Sequence, residues 1–153
     1  MLGLENFQKK DLNNKIIHDN PIVELDEMWT FVGSRENEVW IWLALEVNSR
    51  KVIGYAVGDR SINTFKRLWN AIHPKIKQKA IFYTDRWDAY NLIPYKQRIV
   101  EKGKTNHIER LFLTLRNDNP RFARKTIKFS KSFEMLEISL RLWIHYYNSS
   151  TVS

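Results

Sequence analysis

Residues 21–58 read PIVELDEMWTFVGSRENEVWIWLALEVNSRKVIGYAVG. Three runs rich in β-branched and aromatic residues, parted by short polar breaks, predict three strands in a meander. The strands are IVELDEMWTFVG, EVWIWLALEVN and KVIGYAVGDR, with a turn expected at GSREN (33–37) and another at Asn48, Ser49 and Arg50. Connections this short force neighbouring strands to run antiparallel. The period then changes. Ile62, Phe65, Leu68, Trp69 and Ile72 recur at three- and four-residue intervals, which predicts an amphipathic helix closed by Pro74.

Beyond that helix, KAIFYT (79–84) predicts a fourth strand, free to run parallel to an earlier one because a helix precedes it. RWDAYNLI (86–93) predicts a short helix ended by Pro94, and RIVE (98–101) a small fifth strand. Two more amphipathic helices are expected, from Asn106 to near Arg116 and from near Ser132 to Tyr147. The order β-β-β-α-β-α-β-α-α is that of the ribonuclease H-like fold, an α+β architecture with a mixed five-stranded sheet flanked by helices. In that arrangement the first strand is central and the fourth lies beside it.

With 153 residues, 43% of them apolar, the chain is long enough for one domain with one buried core. Residues 1–20 are expected to be a polar lead-in and residues 21–153 the folded domain. A formal charge of +8 favours a polyanionic partner, nucleic acid first, although a merely basic surface would carry the same charge. The absence of cysteine excludes disulfides, a cysteine zinc site and a thiol nucleophile. The longest apolar run, VWIWLAL at 39–45, is far short of the roughly 20 residues a membrane span needs, so a cytoplasmic protein is expected.

Three acidic residues fall in three different backbone settings: Asp26 within the first strand, Asp85 at the end of the fourth, and Glu109 in the first turn of a helix. Carboxylates brought together this way repel one another unless a cation joins them, and oxygen ligands suit Mg²⁺ or Mn²⁺. Such a trio is the equipment of two-metal phosphodiester chemistry. Each residue has a plainer explanation. Asp26 could be solvated on an edge strand or paired with a lysine, Asp85 could cap the helix that follows, with Thr84 as an alternative cap, and Glu109 could complete a cap with Asn106. Glu24 shares the face of Asp26 and is the alternative ligand, while Glu27 points the other way.

His107 and Arg110 flank Glu109 and are candidates for touching a phosphate. A basic tract follows, with Arg116, Arg121, Arg124, Lys125, Lys128 and Lys131 against Asp118 alone in 116–131. If residues 121–128 are helical, Arg121, Arg124, Lys125 and Lys128 share one face as a phosphate-contacting stripe; a solvated connector is the alternative. Of the six tryptophans, most are assigned to the core, and only Trp29 and Trp87 lie close to the acidic positions.

The strings DEMWTFVG, GDRS, FYTDRWDAY, KTNHIERLFLTLR, ARKTIKFSKS and IHYYNSS, in this order from about Val23 to Asn148, closely resemble the catalytic part of the insertion-sequence-one type of bacterial DDE transposase. The resemblance implies a ribonuclease H-like fold, two divalent ions, Mg²⁺ or Mn²⁺, and a catalytic triad on Asp26, Asp85 and Glu109. It implies DNA cleavage and strand transfer during transposition of an insertion sequence, with element ends and target DNA as partners and a synaptic dimer or higher assembly. A bacterial, nucleoid-associated location goes with it. Members of that family carry an N-terminal cysteine zinc motif and a helix-turn-helix that find the element ends. This chain has neither, so it is expected to correspond to the downstream-frame product or a detached catalytic segment. The competing expectations are a non-catalytic DNA-binding or regulatory product, and another ribonuclease H-like nuclease acting on hybrids or junctions.

Overall fold

The computed structural model describes residues 20–119, 122 and 132–151. Residues 1–19 of the expected lead-in and five members of the basic tract, Arg121, Arg124, Lys125, Lys128 and Lys131, lie outside the described residues. A five-stranded mixed sheet runs in the order β3-β2-β1-β4-β5. Strand β1 (Ile22–Val32) is central, antiparallel to β2 (Ser34–Glu46) and parallel to β4 (Ile81–Tyr83). Strand β3 (Lys51–Gly58) forms one edge and β5 (Arg98–Ile99), parallel to β4, the other. The first strand is therefore central, as the element order predicts.

A central strand covered on both faces must be apolar on both, and β1 meets this by alternation. Val23 and Leu25 pack toward helices α1 (Ile62–Ala71) and α2 (Pro74–Lys79), with Trp42, Phe65, Leu68, Ile76 and Phe82. Met28 packs on the opposite face, toward α3 (Asn106–Asp118) and α4 (Phe133–Ser150), with Ile108, Phe112, Leu136 and Leu140. Asp26 has the parity of Met28 and so belongs to the α3 face.

Four local expectations change. Pro74 does not close the first helical segment alone; it opens α2 at its first turn, where a missing N–H costs nothing, and His73 caps it by accepting from Lys75 N at 3.1 Å. The GSREN stretch is not a loop, because β2 begins at Ser34 and a register shift at Phe31/Val32 absorbs the extra residues, with Gly33 at φ 74° making the reversal. RWDAYNLI yields only a 3-10 turn over Asp88–Leu92, since Pro94 leaves too few residues for an α-helix. The RIVE strand shrinks to Arg98–Ile99.

The final helix also fastens the outer strand. Asn148 Oδ1 accepts from Val52 N and Asn148 Nδ2 donates to Val52 O, both at 2.9 Å, with Asn148 buried. None of the helices among the described residues is long and apolar enough to cross a membrane.

Candidate active site

Strand β4 pairs with β1 only as far as Tyr83, opposite Glu24. Extending that parallel register by two residues brings Asp85 level with Asp26, so the site forms where the β1–β4 ladder stops and the edge of β1 opens. Asp85 is exposed there. Its Oδ1 accepts from Trp87 N at 2.9 Å, and its carbonyl accepts from Arg98 Nη2 at 2.8 Å and Thr84 Oγ1 at 2.7 Å. Thr84 also accepts from Arg98 Nε at 2.9 Å, so this threonine serves the loop and does not cap a helix.

Carboxylate oxygens of Asp26, Glu27 and Asp85 lie within 4.8 Å of one another. Glu109, in the first turn of α3, is not part of that tight group, but it lines the same cleft of about 400 Å³ with Asp26, Glu27, Trp29 and Arg116. Its Oε1 accepts from Thr105 Oγ1 at 3.1 Å. Asp26 is thus the link between the other two predicted acidic residues: it shares the tight carboxylate group with Asp85 at the sheet edge and the cleft with Glu109 on the α3 side.

The electrostatics record this crowding. Burial, then the Glu27 carboxylate, raise Asp26 from 3.8 to about 7; the Glu27 N–H, donating to Asp26 Oδ1 at 2.9 Å, pulls it back, while Asp85 and Glu109 push it further up. Burial likewise raises Glu27; the Tyr90 hydroxyl opposes this, the Asp85 charge adds to it, and Arg60 opposes it again. Glu27 Oε1 accepts from Arg60 Nε and Nη2 at 3.1 and 3.0 Å, and Oε2 accepts from Tyr90 OH. Tyr90's own burial drives its hydroxyl well above 10, with the Glu27 charge adding to the shift. A set of all-oxygen donors that repel one another in partial burial fits a hard divalent cation, which would relieve the repulsion.

The remaining sequence candidates divide. Glu24, 2% exposed, caps α3: one oxygen accepts from His107 N at 3.0 Å and Ile108 N at 3.1 Å, and the other meets His107 Nδ1. His107 is held on that carboxylate, and Glu24 lies outside the Asp26, Glu27, Asp85 group. Arg116 lines the cleft, whereas Arg110 is exposed on α3. Trp29 forms a cleft wall, its ring 5.0 Å from Phe31. Glu27 is the residue that strand parity misses. It does leave the opposite face of β1, but β4 has ended there, so its side chain reaches Asp85 around the open edge. An Asp-Glu pair placed where a neighbouring strand stops was the available signal.

A mixed sheet with this strand order, helices on both faces and carboxylates gathered at the open edge of its central strand defines a ribonuclease H-like domain. The fold resembles a chain in the crystal structure of a pre-cleavage Mos1 transpososome, with a TM-score of 0.52 and 12% identity, over 93% of this chain and 53% of that one, about half its length. Residues 21–149 match the family described as IS1 transposase. The chain is 38% identical over 117 residues to the insertion element iso-IS1n protein InsB of Shigella dysenteriae, covering 76% of this chain and 88% of that protein. It is 32% identical over 137 residues to the insertion element IS1 9 protein InsB of Escherichia coli K12, covering 87% and 81%. The chain belongs to the IS1 transposase family.

Proposed function

We propose that this chain is the catalytic domain of a DDE-type transposase that cuts DNA at the end of an insertion sequence and transfers the freed strand to target DNA. The observation that carries the reading is the approach of the Asp26 and Asp85 carboxylates, together with Glu27, within 4.8 Å, beside a cleft that Glu109 also lines. Asp26, Asp85 and Glu109 would hold the metal, Mg²⁺ or Mn²⁺, as two ions. When bound, such ions supply Lewis-acid assistance to the attacking and leaving oxygens of an in-line displacement.

The chain's own groups account for the rest. Asp26 is fixed by the central strand and the Glu27 N–H, Asp85 by Trp87 N, and Glu109 by Thr105. Arg116, in the cleft wall, offers a cation to the DNA backbone, and Arg110 and the tract of Arg121, Arg124, Lys125, Lys128 and Lys131 extend that attraction along the strand. Hydrolysis at an element end breaks one P–O bond and leaves a 3′-hydroxyl. That hydroxyl then attacks a target phosphate, forming one P–O bond as another breaks. DNA is the partner on this reading, in an assembly that brings two element ends together, with an upstream DNA-binding region supplying end recognition.

The test is nicking and strand transfer on element-end DNA with Mg²⁺ or Mn²⁺, using the chain alone and joined to an upstream zinc and helix-turn-helix region from a relative. Metal-dependent products that vanish with Asp26→Asn, Asp85→Asn or Glu109→Gln are expected, in a protein that stays folded. Activity retained in any of the three variants would refute that residue's assignment. Preference for RNA–DNA hybrids or junctions over element ends would refute the transposase reading.

A further inference from the structure

Asp85 lies beyond the last β1–β4 pair, so no strand ladder sets its distance from Asp26. A circuit of hydrogen bonds and ring contacts joins the two aspartates there, and it runs through Arg60, between β3 and α1. The Arg60 guanidinium lies between two indoles, its Cζ 4.6 Å from the ring centroid of Trp40 and 3.9 Å from that of Trp87. From this position Nε and Nη2 both donate to Glu27 Oε1, and Glu27 N donates to Asp26 Oδ1 at 2.9 Å. On the other side the Arg60 carbonyl accepts from Trp87 Nε1 at 3.1 Å, while Trp87 N donates to Asp85 Oδ1 at 2.9 Å. The circuit therefore begins at one aspartate and ends at the other.

We propose that Arg60 is a positioning residue for the carboxylate site, gripped by Trp40 and Trp87 so that it holds Asp85, through Trp87, in fixed relation to Asp26, through Glu27. The inference rests on the reading of Asp26 and Asp85 as metal-holding groups. Two features set it apart from an ordinary ion pair. Arg60 is engaged through both its backbone and its side chain, and the ring stacked on its guanidinium belongs to the residue whose N–H holds Asp85. The chemistry also demands arginine. A planar guanidinium can stack on two rings and still aim two N–H groups at one carboxylate oxygen, which a lysine ammonium cannot do. Fixing Glu27 as the partner of Arg60 and Tyr90 also keeps that third carboxylate from swinging freely across the site.

The experiment is Mn²⁺ titration of the whole chain, with free Mn²⁺ read by electron paramagnetic resonance, for Arg60→Lys, Trp87→Phe, Asp26→Asn and Asp85→Asn. Trp87→Phe keeps a ring over the guanidinium but removes the indole N–H. Groups that orient metal ligands without binding the metal typically change affinity about 10–100-fold when altered. A loss in that range is expected for Arg60→Lys, and a smaller loss for Trp87→Phe, with DNA affinity in EDTA unchanged. Mn²⁺ affinity within about twofold of the parent in both variants, while Asp85→Asn abolishes binding, would reduce Arg60 to a structural ion pair and overturn the proposal. Weakened DNA binding in EDTA with unchanged Mn²⁺ affinity would overturn it too, by making Arg60 a phosphate contact. Undiminished Mn²⁺ binding in both aspartate variants would instead defeat the metal reading underneath. Should Arg60→Lys fail to fold, Trp87→Phe carries the test.

Discussion

Replacing Asp26 by Asn should make the metal-free protein more stable while abolishing the activity proposed for it. Burial, Glu27, Asp85 and Glu109 raise this carboxyl from 3.8 to about 7. An acid whose folded pKa lies above its unfolded one penalises folding once it ionises. The penalty is absent below pH 3.8, grows as pH rises toward about 7, and is complete above that. At about 1.4 kcal/mol per pH unit, a gap of roughly 3 corresponds to ~4 kcal/mol at pH 8. Burying the asparagine amide returns about 1–2 kcal/mol of that, because its hydrogen bonds are incompletely matched. A net gain of ~2–3 kcal/mol is expected at pH 8 in EDTA, falling below ~1 kcal/mol at pH 5, where the parent carboxyl is already protonated in the fold.

Urea unfolding of both proteins at the two pH values, in EDTA and then in excess Mg²⁺, reads this directly. In Mg²⁺ the parent should gain stability and the variant should gain little, because binding to the folded state alone adds to its stability. Equal stability at pH 8 in EDTA, or a difference that does not shrink by pH 5, would refute the reasoning. It would mean that Asp26 is solvated, as on an ordinary exposed strand.

Three further outcomes follow from the same geometry. Glu24→Ala should cost about 2–3 kcal/mol in urea unfolding, since it leaves the N–H groups of His107 and Ile108 without their acceptor at the start of α3. Because Glu109 is carried on that first turn, metal-dependent cleavage should fall with it; unaltered cleavage would show that the cap does not position Glu109. Asn148→Ala should cost about 2–3 kcal/mol by removing the amide that bonds both the N–H and the C=O of Val52, and wild-type stability in that variant would show that other groups or water replace it. Arg98→Ala should lower cleavage more than it lowers the unfolding midpoint, because Arg98 ties Thr84, the Asp85 carbonyl and Asn91 on an exposed loop. A fall in stability with full cleavage would separate that loop from the chemistry.

The sheet was legible wherever burial enforces a simple period. Runs of β-branched and aromatic residues along 22–58 announce β1, β2 and β3, and the 3.6-residue stripes announce α1, α3 and α4, because each of these elements packs on a core. What escaped was governed by local stereochemistry or by contacts distant in sequence. Pro74 can end a helix or begin one, and only the chain after it decides. Gly33 allows a reversal so tight that the SREN after it already belongs to β2. In the site, Asp26, Asp85 and Glu109 could be singled out from their backbone settings; the structure brings Asp85 to Asp26 and sets Glu109 with Asp26 along the cleft. Glu27 was signalled only by its pairing with Asp26 where β4 stops at Tyr83, and Arg60 by nothing local, since it depends on two tryptophans 47 residues apart in number closing on one guanidinium. Glu24 showed the reverse. Its parity was read correctly, but the free N–H groups of α3 claim its oxygens.

The paired hydrogen bonds between Asn148 and Val52 have a consequence for what this protein avoids. A carboxamide presents one N–H donor and one carbonyl acceptor, as a peptide unit does, so at Val52 the side chain stands in for a missing sixth strand. An outer strand with unoccupied groups is a template on which another chain can add by strand pairing. With β3 on the outside of the sheet, a single amide from the last helix closes that template at its start. The same pair of bonds that fastens the last helix to the sheet thus also occupies the first groups that an added strand would have to claim.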